Sequence, residues 1–245
     1  MSAEREGEVA AAFMSLTSTL ATSYDIVDLL DQLASHCAQL LNIRSAGLLI
    51  ADGLGVLHVL AAFNEQTRQL EVLQLQRDEG PCLDCFHSGS PVLVPDLVDS
   101  SARWPQFVPA ARAAGFASVH AVPVRLRNNV LGALGLFGDT PGQLNAQDLA
   151  LGQALADVAS LALVHARVVP DQMAISDQLQ AALTSRVLIE QAKGLVAQRS
   201  GVDVAAAFVL LRRYARDHGQ RLSDIAGQIV ARHLSIEDLA LADEG

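Results

Sequence analysis

Arg186, Lys193, Arg212, Arg213, Arg216 and Arg221 are the side chains of this chain whose types and spacing best suit a chemistry, the binding of phosphates. Residues 182–234 hold eight basic side chains against four acidic ones, whereas residues 1–181 hold 9 against 19 and the last ten residues add four carboxylates. A cationic module on an otherwise anionic chain points to a polyanionic partner, because Lys and Arg that meet phosphates release condensed counterions. Arg212 and Arg216 stand four apart with Arg213 beside them, which gives one helix a concentrated cationic edge. Arg186 and Lys193, seven apart, share a face of another helix, and Glu190 between them neutralises part of it. Solvated cations on surface helices produce the same composition, so charge alone leaves that alternative open.

Cys82 and Cys85 are the second chemical candidate. A CxxC spacing in a helical turn brings two thiols together for a disulfide or for half of a zinc site, and a helix N-terminus lowers the pKa of the first. A zinc site needs two further ligands; His87 is near, but Cys37 and His120 are remote in sequence, so no metal is expected. A redox role for Cys82 and Cys85 stays as an alternative to small buried residues beside a cavity. Cys37 lies on the apolar side of a helical pattern with Ile26, Leu29, Leu30 and Leu33, and His120 sits among apolar residues of a strand, so both read as core residues.

The elements that must position the cations are three amphipathic helices. The segment 171–199 has no interior proline and ends at Ser200-Gly201. Asp203 offers an N-cap to a second helix, with Val204, Phe208, Leu211 and Ala215 in one stripe, and His218-Gly219 stops it. Leu222, Ile225, Ala226 and Ile229 repeat the pattern, so the three can bury one another in a small bundle. Ala192 and Gly194 beside Lys193 leave room either for the backbone of a polyanion or for close packing of the third helix.

This module resembles an ANTAR domain, from Ser185-Arg186 through Glu190-Gln191-Ala192-Lys193-Gly194, Ala207-Phe208 and Leu211-Arg212-Arg213 to Leu222, Ile225 and Ala226. The resemblance implies binding to paired hairpins in nascent leader RNA, which prevents the terminator from forming. Arginine planes or Tyr214 are the expected stacking groups for splayed bases, since the module has no other aromatic besides the buried Phe208.

Upstream, the apolar period changes from helix to strand. Strands are predicted over 45–51, 56–63, 91–94, 118–125 and 130–137, with helical segments at 6–41, 65–75, 81–87 and 107–114. A central antiparallel sheet with helices on its faces follows. Glu79-Gly80-Pro81-Cys82-Leu83-Asp84, Gly89-Ser90-Pro91-Val92, Pro95-Asp96-Leu97 and the segments 118–125 and 131–137 make this part similar to a GAF domain. That resemblance implies a cavity for an unidentified small-molecule ligand between sheet and helices. The NKFDE pattern of many cyclic-nucleotide binders is not evident, so cyclic nucleotides are not expected.

The expected architecture is α+β: an N-terminal helical extension at 1–19, a GAF-like sensor at 20–168, a helical coiled-coil linker at 169–184, a three-helix ANTAR bundle at 185–235 and an acidic tail at 236–245. Leu151, Leu155, Val158 and Ala162 follow a four-three spacing and Leu149, Ala156 and Leu163 mark a second face, so the helix suits both its own sheet and a second copy. Leu151, Leu155 and Val158 would be exposed in a monomer, which predicts a homodimer through residues 146–190, and Pro170 breaks the helix. No apolar stretch reaches the length of a membrane helix, and three cysteines suit a reducing compartment, so a cytoplasmic protein without membrane partner is expected. The expectation is a ligand-responsive RNA-binding regulator of antitermination, not an enzyme, and with no cofactor. A GAF-fold redox enzyme using Cys82 and Cys85, or a DNA-binding regulator, are the alternatives. The arginines line the second helix rather than the third, which disfavours groove reading in DNA.

Overall fold

The computed structural model describes residues 3–20, 26–52, 54–142, 144–165, 175–236 and 239. Among these, five strands form one antiparallel sheet: β1 (Ser45–Ala51), β2 (Leu57–Ala62), β3 (Val92–Val94), β4 (Ser118–Leu126) and β5 (Asn129–Gly138), in the order β2-β1-β5-β4-β3. Each lies within two residues of the apolar run that predicts it. The period-2 pattern sorts the sheet into two faces. Leu48, Ile50, Val122, Val124, Leu134 and Leu136 point to one core, and Leu49, Ala121 and Ala133 point to the other.

The first face is covered by α1 (Ala3–Leu20), α2 (Ile26–Leu40) and α6 (Ala146–His165). Leu16 of α1 is fully buried in this core, and the Arg5 guanidinium of α1 bonds the Asp148 carboxylate of α6. The single helical stretch read over 6–41 is thus two helices, both packed on the sensor. Leu155 and Ala162 of α6 are wholly buried and Val158 nearly so, all within the core of one chain. This corrects the reason for a self-pairing seam: that face of α6 is occupied by its own sheet and α2, and Leu161, 58% exposed, points the other way. The Pro170 break lies outside the described residues.

On the second face sit α3 (Glu65–Arg77), α4 (Pro81–Ser88) and α5 (Phe107–Ala113). Asn64 caps α3 by accepting from the Thr67 N–H at 2.9 Å, and Trp104, Phe107, Phe116 and Phe137 fill the space under α5. The C-terminal module is α7 (Ile175–Ser200), α8 (Val204–Asp217) and α9 (Leu222–Val230). Asp203 caps α8 through the Ala206 N–H at 2.7 Å, as its position before the apolar stripe predicts. Ile189, Ala192 and Val196 of α7, Ala207, Leu211 and Ala215 of α8, and Leu222, Ile225, Ala226 and Ile229 of α9 form its core. Leu239 joins that core from beyond α9, and Val27 of α2, fully buried, joins it from the sensor.

Candidate nucleic-acid interface

The cations of the C-terminal module divide into two sets. Arg216, 72% exposed, and Arg221, exposed at the N-cap of α9, open onto a groove of about 780 Å³ between α8 and α9 on one side and α1 and α2 on the other. Ser15, Gln32, Ser35 and His36 form much of its sensor wall. Arg216 touches the neighbouring Asp217 at 3.3 Å, a solvent-exposed contact that holds it weakly. Arg213 is half-buried on α8.

Arg186 and Arg212 are differently placed, because both reach across to α2. Arg186 Nη1 donates to Asp31 Oδ1 at 3.0 Å and Oδ2 at 3.1 Å and lies 3.4 Å from the Leu60 carbonyl oxygen, while its Nη2 stands 3.2 Å from Glu190 Oε1. Both side chains of the Arg186–Asp31 pair are only 12% exposed. Burial pushes the Asp31 carboxyl up, and the Arg186 guanidinium opposes that push. Arg212 Nε donates to Asp28 Oδ1 at 2.5 Å, and its guanidinium carbon lies 4.8 Å from the Phe208 ring centre. Lys193 approaches the same ring at 5.0 Å, and its Nζ lies 3.0 Å from both Glu190 oxygens. Glu190 therefore neutralises this face as its spacing indicates, but the larger neutralisation comes from Asp28 and Asp31, which no local pattern announces. Gly194 faces open space beside Lys193, whereas Ala192 packs inside the bundle, so the two small residues serve different ends. Tyr214 stacks on His218 with ring centres 3.9 Å apart.

The sensor's second face carries a polar ring that residue spacing alone does not reveal. The Cys82 N–H donates to Gln74 Oε1 at 2.9 Å, Gln74 Nε2 donates to Glu71 Oε2 at 2.7 Å, and Cys82 Sγ closes the ring at 3.6 Å from Glu71 Oε1. Glu71, Gln74 and Cys82 are all fully buried. Desolvation raises the Glu71 carboxyl from 4.5 to about 8, so it holds its proton at neutral pH. Gly47 and Gly135, paired across β1 and β5, make the room: a Cβ on either would come within 2.7 Å of Glu71 Oε1. Burial also pushes the Cys82 thiol well up and Cys85 up to about 12. A thiol kept protonated is a poor nucleophile, which opposes the helix N-terminus effect expected for the CxxC spacing. Cys37 is buried in the other core, its thiol likewise raised to about 12. His120 Nε2 lies 3.1 Å from the Gly142 carbonyl oxygen, and burial lowers its pKa; its buried Nδ1 has no hydrogen-bond partner among the described residues. No group of three or more His, Cys, Asp or Glu residues able to hold a metal ion occurs among the described residues.

The sheet order, the helices on both faces and the appended bundle agree with the family models. The GAF domain model matches residues 6–164, well over half of the chain. The chain belongs to the GAF domain family. The ANTAR domain model matches residues 177–230, the module that carries all six cations. The chain thus joins a domain type that senses small molecules to one that binds RNA. No curated protein matches the chain. Among solved structures, the GAF domain of an Acinetobacter phosphoenolpyruvate-protein phosphotransferase is similar at 16% identity and a TM-score of 0.54, covering 71% of this chain and 100% of that one. The GAF domain of the Coxiella burnetii phosphoenolpyruvate-protein phosphotransferase gives 15% identity and a TM-score of 0.54 over 65% and 95%. The Neisseria meningitidis free methionine-R-sulfoxide reductase, solved with its substrate, gives 16% and 0.50 over 68% and 94%. At such identities these likenesses show the fold alone.

Proposed function

We propose that this GAF and ANTAR chain is a cytoplasmic, ligand-responsive regulator of transcription antitermination that binds hairpins in nascent RNA as a dimer. The observation that carries the reading is the cationic edge of α8 on a bundle matching the ANTAR model, with Arg216 and Arg221 facing an open groove. Phosphates and 2′-hydroxyls of a stem suit such an edge, and the helix bearing the arginines is the second of the bundle rather than a third, groove-reading one. An unidentified small molecule acting on the sensor supplies the signal. The raised thiols of Cys82 and Cys85 favour a regulator over a redox enzyme. Among the described residues no single helix is long and apolar enough to cross a membrane.

Self-association has a different support from the one its spacing suggests. Leu161 of α6 and Val187 of α7, 58% and 56% exposed, are large apolar groups left on the last helix of the sensor and the first helix of the bundle. Light scattering at micromolar concentration, with and without RNA, checks the dimer, and a monomer mass in both conditions refutes it.

Titration of the full chain with a two-hairpin leader RNA and with a duplex DNA of equal length, at two salt concentrations, tests the RNA reading. RNA binds more tightly, and Arg216→Ala or Arg221→Ala each lowers the log-log salt slope by about 0.7 to 0.9. Equal or tighter binding to DNA counts against antitermination.

A further inference from the structure

Two of the six cations best suited to phosphates are paired with carboxylates of the sensor. Arg186 sits in a nearly closed pocket between Asp31, the Leu60 carbonyl and Glu190, and Arg212 is held by Asp28 at 2.5 Å. Asp28 and Asp31 stand three apart on α2, so one edge of one sensor helix presents both carboxylates. Val27, on the same turn, is buried in the core of the C-terminal bundle, which adds an apolar anchor to the two ion pairs. On the α2 side the contact is therefore built from Val27, Asp28 and Asp31, which share about one turn of the helix and are directed at the bundle rather than at the sensor's own sheet.

We propose that this edge of α2 is an internal competitor for RNA: Asp28 and Asp31 occupy the positions on Arg212 and Arg186 that phosphate oxygens would take, and RNA binding requires the bundle to leave the sensor. The proposal rests on the RNA reading above and adds how that site is regulated. A carboxylate and a phosphodiester offer a guanidinium the same charge-assisted acceptors, so the two cannot be satisfied on one arginine edge at once. With Arg186 only 12% exposed, a hairpin reaches Arg216 and Arg221 through the groove but not Arg186. The docked chain thus offers a smaller site than the undocked one, which adds the edges of Arg186 and Arg212 that Asp31 and Asp28 hold. Apparent affinity is then reduced by the fraction of chains that are undocked. A sensor ligand acts by shifting that fraction, because α2 is also part of the core that covers the sheet through Leu29, Leu30 and Leu33.

The test uses the full chain with Asp28→Asn and Asp31→Asn, singly and together, beside a control of equal charge, Asp99→Asn with Asp139→Asn, two exposed carboxylates of the sensor outside α2. Asp28→Asn alone covers the case in which the double variant, with Arg186 left uncompensated, fails to fold, since the Arg212–Asp28 pair is the more exposed one. Amide hydrogen exchange without RNA reads docking, and anisotropy titration with the two-hairpin RNA reads affinity. Expected are faster exchange in α2 and α8 and about ten-fold tighter RNA binding than the control, within the usual range of coupling between sites. Faster exchange with affinity equal to or weaker than the control overturns the competition. Unchanged exchange together with unchanged affinity overturns the docking role of the two carboxylates. If no chain binds the RNA while exchange still rises, the RNA reading has failed and the competition with it, while the docking itself stands.

Discussion

Glu71 is the residue whose environment departs furthest from what its type suggests, a carboxyl in a strand-facing pocket with Gln74 and Cys82 as its polar neighbours. Its proton follows from desolvation, and the consequence for stability has a definite sign. Between pH 4.5 and about 8 the folded chain keeps a proton that the unfolded chain has lost. Stability is accordingly full below 4.5, falls as pH rises toward 8 by up to about 1.4 kcal/mol per unit, and levels off beyond it. Glu71→Gln, which offers an oxygen to Gln74 and a donor to the Cys82 sulfur, is expected to remove most of that slope. Urea unfolding of parent and variant at pH 6, 7 and 8.5 measures it, and parallel slopes would show that Glu71 is ionised in the fold. The residue types of this ring are legible in the sequence only as an ordinary polar helix face; it takes the glycines of two strands, far apart in the chain, to bring the sheet close enough for that face to be buried.

At the scale of elements, α8 is the helix whose limits are most clearly written in its residues. Asp203 accepts the Ala206 N–H, and Gly219 at φ 61° follows the last turn. Asp203→Ala should cost about 1 kcal/mol of the bundle's stability, read as a lowered thermal midpoint, while Asp203→Asn should cost far less. The strands are equally legible, as short apolar runs bounded by turn residues, because the sheet is covered on both faces. The role of α6 is not. Its apolar residues at four-three spacing fit a second copy of the helix as well as a sheet, and periodicity carries no information about which surface takes the stripe. Leu155, Val158 and Ala162 go to the sheet and α2 of their own chain, because that surface is tethered and a partner's is not.

For the whole molecule, the contact between sensor and bundle couples the two halves in both directions. A ligand that favours the undocked chain must itself bind more tightly when RNA is present, by the same factor. Added two-hairpin RNA should therefore raise amide exchange in α2 of the parent chain while slowing it in α8. Exchange that slows in both helices would mean that RNA binds the docked form.

The order of the domains, the limits of the strands and of α8 and the presence of a cationic module are determined by the sequence, because each rests on composition and period within a short window, whereas the break between α1 and α2 leaves no such mark. What the six cations face is decided by the tertiary structure. Arg186 meets Asp31 across 155 positions of chain, and Arg212 meets Asp28 across 184. A carboxylate that solvates a helix and one that occupies an arginine look the same in sequence, since charge pairing depends on distance in space and leaves no periodic trace along the chain.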